Sequence, residues 1–120
     1  MNKEDITKKY NKLVSEIETL RMYDGRGEYN GYECEKCGHV TVTLYVDKGV
    51  TPFIIRCRKC GGMARHEYTS RTPPRHSDVK RWVRPTLEQL LEMNIATIKH
   101  VLDGGLVFED ELKGGNNGND

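Results

Sequence analysis

Four cysteines are the residues of this 120-residue chain whose types and spacing point most directly to chemistry. They form two C-x-x-C pairs, nineteen residues apart, which consist of Cys34, Cys37, Cys57 and Cys60. This spacing is typical of a site in which four thiolates bind one zinc ion. Four thiolates satisfy the tetrahedral preference of zinc and leave no coordination position open, so the sequence predicts one structural Zn²⁺ rather than a catalytic metal.

A glycine directly follows each cysteine pair, at Gly38 and Gly61. A C-x-x-C turn has to fold back so that both sulfurs face one ion and nearby backbone N–H groups point at the thiolates. We expect a positive φ angle at both glycines, because glycine adopts it without steric cost. We call residues 34–38 the first knuckle and residues 57–61 the second knuckle.

Two other interpretations of the cysteines are disulfide bonds and chance burial. The N-terminal residues 1–5 (Met-Asn-Lys-Glu-Asp) do not resemble a secretory signal, which indicates a cytoplasmic protein. In a reducing compartment, paired C-x-x-C motifs bind metal more often than they form cross-links. Iron remains an alternative to zinc, because the same four thiolates suit both ions.

The composition also favours a metal-stabilised domain. Hydrophobic residues make up 36% of the chain and charged residues 31%, so one small domain with a thin core is expected. A bound metal ion can substitute for missing core area in a domain of this size. No apolar run approaches the ~18 residues that span a membrane, so no membrane association is expected.

Charge is distributed unevenly although the net charge is only +1. Residues 1–30 are neutral overall, residues 31–85 carry +6 and residues 86–120 carry −5. The asymmetry allows two interpretations: the basic part binds an anionic partner, or it pairs with the acidic part of the same chain.

The N-terminal part reads as an amphipathic helix over residues 4–22. Its apolar side chains recur at steps of four and three residues, at Ile6, Tyr10, Leu13, Ile17 and Leu20. The stripe either packs within the chain, which we favour, or forms a short coiled coil. The protein is therefore expected to be a monomer or a weak homodimer through this helix.

Strand patterns occupy the middle of the chain. Residues 40–46 alternate between aliphatic and other side chains, and a turn then leads into residues 53–56, which return to the second knuckle. We expect these two segments to form a hairpin between the knuckles. Residues 63–69 are predicted to add a third strand.

The C-terminal part contains signals for two short helices. Thr86 and Gln89 match a capping box, and Asn94 is a suitable N-cap for a second helix that carries Ile98 and Val101. The predicted organisation is an N-terminal helix and linker (1–31), the cysteine-containing region (32–69), a basic connector containing prolines (70–85), a short helical segment (86–112) and a disordered tail (113–120).

The two knuckles, Cys-Glu-Lys-Cys-Gly and Cys-Arg-Lys-Cys-Gly, resemble those of the zinc-ribbon superfamily over residues 32–69. This resemblance implies an α+β fold built on a small zinc ribbon. Residues 82–85 (Trp-Val-Arg-Pro) and 100–106 (His-Val-Leu-Asp-Gly-Gly-Leu) further resemble small zinc-ribbon proteins of bacteriophages and prophages. That second resemblance implies a phage-encoded protein in the cytoplasm of a bacterial host and brings no assigned activity.

A basic stretch between residues 56 and 84 is the candidate binding surface. Its nine cations are Arg56, Arg58, Lys59, Arg65, Arg71, Arg75, Lys80, Arg81 and Arg84. Such a stretch can follow a phosphate backbone, with Tyr68 or Trp82 available to stack on bases. We therefore expect a non-enzymatic module that acts on nucleic acid or its machinery. The alternative is a protein-interaction or assembly module that uses the N-terminal stripe and the apolar C-terminal helices.

Single residues add little to these two interpretations. Trp82 is more typical of an anchor within its own domain than of a stacking platform. His39 is expected to contact the metal site from outside the ligand set. His66 and His76 lack an accompanying carboxylate cluster, so neither catalysis nor a small-molecule substrate is expected.

Overall fold

The structure, a computed structural model, describes residues 1–75 and 78–113. The helices are α1 (Lys3–Glu16), α2 (Leu87–Leu91), α3 (Ile95–Leu102) and α4 (Glu109–Lys113). The strands are β1 (Tyr29–Cys34), β2 (Val40–Tyr45), β3 (Ile54–Arg56), β4 (Met63–Ser70), β5 (Val79–Val83) and β6 (Val107–Phe108). These elements confirm the α+β class. Within the described ranges, the helices are too short or too polar to cross a membrane.

All six strands belong to one mixed sheet with the order β3-β4-β1-β2-β5-β6. β1 lies inside the sheet, antiparallel to both β2 and β4, and its Tyr32 is fully buried. The prediction that residues 29–31 are linker is therefore wrong. Polar and glycine residues in this stretch concealed a strand that is stabilised by two neighbours rather than by its own pattern.

The predicted hairpin between residues 40–46 and 53–56 is also wrong, although both segments form strands. β2 pairs with β1 and β5, whereas β3 pairs only with β4. Each knuckle turns the chain within its own hairpin, β1–β2 or β3–β4, and the β1–β4 pairing joins the two hairpins. The predicted third strand is confirmed as β4.

The segment predicted as a connector, residues 70–85, contains β5. This strand runs parallel to β2, with Tyr45 opposite Trp82, and antiparallel to β6. Prolines and cations dominate the segment, and they hid a short strand that a parallel crossover brings into the sheet.

Aromatic side chains fill one hydrophobic cluster beside the sheet. We call it the aromatic cluster, and its buried members are Tyr32, Cys34, Tyr45, Cys57, Ala64, Trp82 and Leu106. The Trp82 ring stacks between Tyr45 and Phe108, with ring centroids 5.5 and 6.0 Å away. Trp82 is 3% exposed, which confirms its predicted role as an anchor of its own domain.

Aliphatic side chains form a second cluster between the helices and the end of the sheet. We call it the helical cluster, and its buried members are Ile6, Val83, Leu90, Ile98, Val101 and Val107. The α1 stripe contributes Ile6 and, at its edge, Tyr10, so the structure places the stripe within the chain. The capping box of Thr86 with Gln89 and the N-cap Asn94 are both confirmed.

α1 ends at Glu16, six residues before its predicted end. The chain continues in turns, where the buried ammonium of Lys48 donates to the carbonyl oxygens of Glu18 and Leu20, 3.4 and 3.2 Å away. Of the predicted tail 113–120, residue 113 ends the α4 backbone, and residues 114–120 lie outside the described residues.

Candidate metal centre

The four cysteine sulfurs meet at one point between the two hairpins. All four Sγ atoms lie within 4.8 Å of one another, with 3.5 Å between Cys34 and Cys60 and 3.7 Å between Cys37 and Cys57. All four thiols are free, so the disulfide interpretation is not borne out. Four sulfurs at about 2.3 Å from a tetrahedral zinc ion stand about 3.8 Å apart, which is close to these spacings.

The two hairpins position their cysteines in the same way. In the first knuckle, the Cys34 N–H donates to the His39 carbonyl at 2.9 Å and the Gly38 N–H donates to the Cys34 carbonyl at 3.0 Å. In the second knuckle, the Cys57 N–H donates to the Gly62 carbonyl at 2.7 Å and the Gly61 N–H donates to the Cys57 carbonyl at 3.0 Å. Each turn thus presents two sulfurs on a rigid, hydrogen-bonded frame.

The glycines after each pair have the backbone conformation that the sequence predicts. The φ angle is +76° at Gly38 and +80° at Gly61. A Cβ atom added at either position would meet no atom within 4 Å. Backbone conformation, and not lack of space, is therefore the reason for glycine at both sites.

Backbone N–H groups point at the sulfurs and favour their ionised form. The Cys34 sulfur accepts from the N–H groups of Cys37 and Lys36, at 3.4 and 3.3 Å, and these hydrogen bonds lower the pKa of Cys34 to about 6. Hydrogen bonds from the backbone of Cys60 and Lys59 lower the pKa of Cys57. One thiol of each pair is thus prepared to act as a thiolate ligand.

Cys37 behaves in the opposite way. A hydrogen bond from the His39 backbone N–H lowers the pKa of Cys37. Desolvation and hydrogen bonds with the other three cysteine sulfurs raise it by more, so the pKa of Cys37 is raised to about 11. Clustered thiolates repel one another, and a bound cation permits all four to ionise together. The donor set, its spacing and its hydrogen bonds therefore fit a divalent metal ion that accepts sulfur ligands.

Part of the basic stretch is engaged in ion pairs within the chain. Among the described residues, five of its cations form ion pairs, and three of these contact the acidic helix α4. Arg58 contacts Asp110 and Glu111 at 2.7 and 3.0 Å. Lys80 contacts Asp110 at 3.6 Å, and Arg81 contacts Glu109 at 3.2 Å. The interpretation that the basic part pairs with the acidic C-terminal part of the same chain is correct for these three residues.

The remaining six cations do not contact α4 through ion pairs among the described residues. Arg65 pairs with Glu35, Arg71 pairs with Glu28 at 3.4 Å, and the half-buried Arg84 donates to the Lys48 carbonyl. Arg56, Lys59 and Arg75 are exposed, and they form no ion pair with the residues that the structure describes. Six of the nine predicted binding residues thus have an ionic or hydrogen-bond partner among the described residues.

Of the histidines singled out in the sequence, the structure describes His39 and His66, which have different partners. His39 contacts the first knuckle through its carbonyl, as expected of a residue outside the ligand set. His66 lies within hydrogen-bond distance of Asn30 and Thr69, at 2.9 and 3.1 Å. His76 lies outside the described residues.

Sequence reasoning missed how closely the second knuckle is tied to α4. Besides its two ion pairs, the Arg58 guanidinium lies 4.4 Å from the centre of the Phe108 ring. The signals in the sequence were the charge asymmetry and the run of three acids at residues 109–111, and neither indicates which cations the acids contact. These contacts connect the metal centre to the stacked ring of Trp82 through Phe108.

Comparison of the chain with protein-family models, curated proteins and solved structures found no match.

Proposed function

We propose that this chain is a non-enzymatic binding module whose fold is stabilised by one zinc ion. Cys34, Cys37, Cys57 and Cys60 hold the ion, which cross-links the two hairpins when it is bound. The observation that carries the proposal is the meeting of four sulfurs from two separate hairpins at spacings suited to tetrahedral coordination. The joining of two knuckle hairpins through β1 and β4 also supports assignment to a zinc-ribbon fold.

Metal analysis of the reduced protein tests this assignment. We expect one zinc per chain in the native mass spectrum, and the absorption bands of a tetrahedral Co²⁺–thiolate site after exchange with cobalt. Cys57→Ser should abolish both signals. A reduced protein that is metal-free and still compactly folded would overturn the proposal, and visible absorption typical of an iron–thiolate site would replace zinc by iron.

We further propose that the module contacts nucleic acid in the cytoplasm of its host, which the phage resemblance suggests to be bacterial. Support comes from three exposed cations that form no ion pair among the described residues, Arg56, Lys59 and Arg75, and from Tyr68, which is 39% exposed on β4. Unpaired cations can contact the phosphates of a single strand, and an accessible aromatic ring can stack on its bases.

Binding at two salt concentrations tests this second step. A fluorescently labelled oligothymidylate should bind the zinc-loaded protein at low salt and dissociate steeply as salt rises, because phosphate contacts release counterions. Absence of binding at low salt would contradict a nucleic-acid role while leaving the zinc assignment intact.

Protein interaction is a second candidate, and it is favoured by a surface other than the one we expected. The N-terminal stripe and the C-terminal apolar side chains contribute to the helical cluster and are largely engaged within the chain. By contrast, Phe53 is 85% exposed beside the edge strand β3, near Val50 and Ile54 at 43% and 39%. A pull-down with nuclease-treated extract, with Phe53→Ser as control, distinguishes this role from nucleic-acid binding.

A further inference from the structure

A cavity of about 520 Å³ lies beside the metal centre, between the knuckles and β5. We call it the knuckle cavity, and its polar lining residues are His39, Thr41, Arg58, Lys59, Asp78 and Lys80. Its volume is within the range of natural small-ligand sites. The second knuckle and β5 supply three cations to this space, whereas Asp78 is the one carboxylate among the described lining residues.

The cavity already attracts anionic groups from its own chain. Arg58 and Lys80 share the carboxylate of Asp110, at 2.7 and 3.6 Å, and Lys80 also contacts Asp78 at 3.4 Å. Lys59 forms no ion pair within residues 1–75 and 78–113, so its charge is available to a ligand. The cations are therefore arranged around a place where negative charge is stabilised.

The cavity lining also contains a buried hydroxyl that lacks a hydrogen-bond partner among the described residues. Thr41 is 3% exposed, and its Oγ1 has no hydrogen-bond partner among the described residues. An unsatisfied buried hydroxyl is costly, and a rotation of the Thr41 side chain that brings Oγ1 to an acceptor atom bound in the cavity would remove that cost. This second observation is independent of the charges and points to a ligand that carries oxygen acceptors.

We propose that the knuckle cavity binds a phosphate group, with Lys59, Lys80 and the Thr41 hydroxyl as its principal donors. A tetrahedral oxyanion offers acceptors in several directions, which suits donors that converge from β2, β5 and the second knuckle; a carboxylate is planar and offers two oxygens. The phosphate belongs to a nucleic-acid backbone if the proposed function is correct, and to a free phosphate compound otherwise.

The two knuckles provide a matched pair of variants. Lys59 and Lys36 occupy equivalent positions of the second and first knuckle, and only Lys59 lines the cavity. In the zinc-loaded full chain, Lys59→Gln should weaken binding of oligothymidylate by about fivefold, or roughly 1 kcal/mol. It should also lower the salt slope by about 0.7 for the lost phosphate contact. Lys36→Gln should leave both quantities unchanged.

Thr41→Val tests the hydroxyl separately from charge. The substitution keeps the side-chain shape and removes an unpaired buried oxygen, so the zinc-loaded variant should be as stable as the parent or more stable. Its affinity for inorganic phosphate, followed by amide shifts in NMR spectra, should fall. Unchanged phosphate affinity would show that Thr41 is not a donor and overturn that part of the assignment.

The ligands separate failure of this inference from failure of the proposed function. Loss of both oligothymidylate and phosphate binding in Lys59→Gln supports the site with a nucleic-acid source. Phosphate binding that depends on Lys59, without oligothymidylate binding, supports the site and contradicts the nucleic-acid role. Equal effects of Lys36→Gln and Lys59→Gln, equally Lys59-dependent binding of a glutamate peptide, or binding of neither phosphate ligand would overturn the phosphate site.

Discussion

The two hydrophobic clusters achieve stability by different means. All six buried members of the helical cluster are aliphatic side chains, which come from α1, α2, α3 and the ends of β5 and β6. The aromatic cluster includes two of the four candidate metal ligands, Cys34 and Cys57, among its buried residues. The helical cluster thus consists of packed aliphatic side chains, whereas the aromatic cluster adjoins hairpins that carry the candidate metal ligands.

The clusters are nevertheless neighbours along the same strands. Trp82 of the aromatic cluster precedes Val83 of the helical cluster on β5, and Leu106 and Val107 repeat this arrangement at β6. Adjacent residues of a strand point to opposite faces, so one strand contributes to both clusters. Unfolding of that strand therefore disrupts both clusters. The comparison therefore predicts graded, and not independent, effects of the following changes.

Loss of the metal should have the largest effect. Cys57→Ser, or a strong chelator under reducing conditions, removes most of the ~10–16 kcal/mol that zinc binding contributes to small folds. We expect the hairpins to unfold and the near-ultraviolet dichroism of the Trp82 stack to disappear. An unchanged far-ultraviolet spectrum and melting curve would contradict the dependence of the hairpins on metal.

Truncation within the helical cluster should cost less and leave the metal in place. Leu90 is fully buried, so Leu90→Ala should lower the free energy of unfolding by about 2–5 kcal/mol. Denaturant titration measures this loss, and native mass spectrometry should still detect one zinc per chain. Loss of zinc from the folded variant would contradict the expectation that metal binding does not depend on the helical cluster.

Alanine at a knuckle glycine should have an intermediate effect. Gly38→Ala and Gly61→Ala each force a positive φ angle on a residue with a Cβ atom, at a cost of about 1–2 kcal/mol. Both positions are open, so the two costs should be nearly equal in thermal melts of the zinc-loaded protein. Lys36→Ala, in the same turn, provides the control, and a loss of equal size there would contradict the conformational explanation.

The smallest expected effect separates the two knuckles from each other. Arg58 contacts α4 and the Phe108 ring, so Arg58→Gln should lower stability by about 1 kcal/mol. The equivalent residue of the first knuckle, Glu35, forms an exposed pair with Arg65, so Glu35→Gln should change stability by less than about 0.5 kcal/mol. Amide hydrogen exchange should show faster opening of α4 only in the Arg58 variant.

The sequence predicts local features of this fold better than its pairing. The cysteine spacing, the knuckle glycines and the caps at Thr86 and Asn94 each follow from chemistry within a few residues, and all agree with the structure. The partner of a strand is a non-local property: alternation in residues 40–46 indicates a half-buried strand but not which strand lies beside it.

The missed elements are short or have atypical composition. β5 lies in a stretch of prolines and cations, and α4 has only five residues, so neither carries a clear periodic signal. The charge asymmetry anticipated contacts between the basic and acidic parts, but only the fold selects Arg58, Lys80 and Arg81 as the partners of α4. The knuckle cavity depends on β5 and was therefore invisible to sequence reasoning.

The parallel pairing of β2 with β5 has a consequence for the order in which a nascent chain acquires structure. Both hairpins lie within residues 29–70, so all four sulfurs emerge from the ribosome before the β5 segment emerges. α1 is synthesised first, but the cluster in which Ile6 is buried includes Val107, which lies about a hundred residues later in the chain. We expect the metal-binding hairpins to be protected early in pulse-labelled hydrogen exchange and the first helix to be protected last.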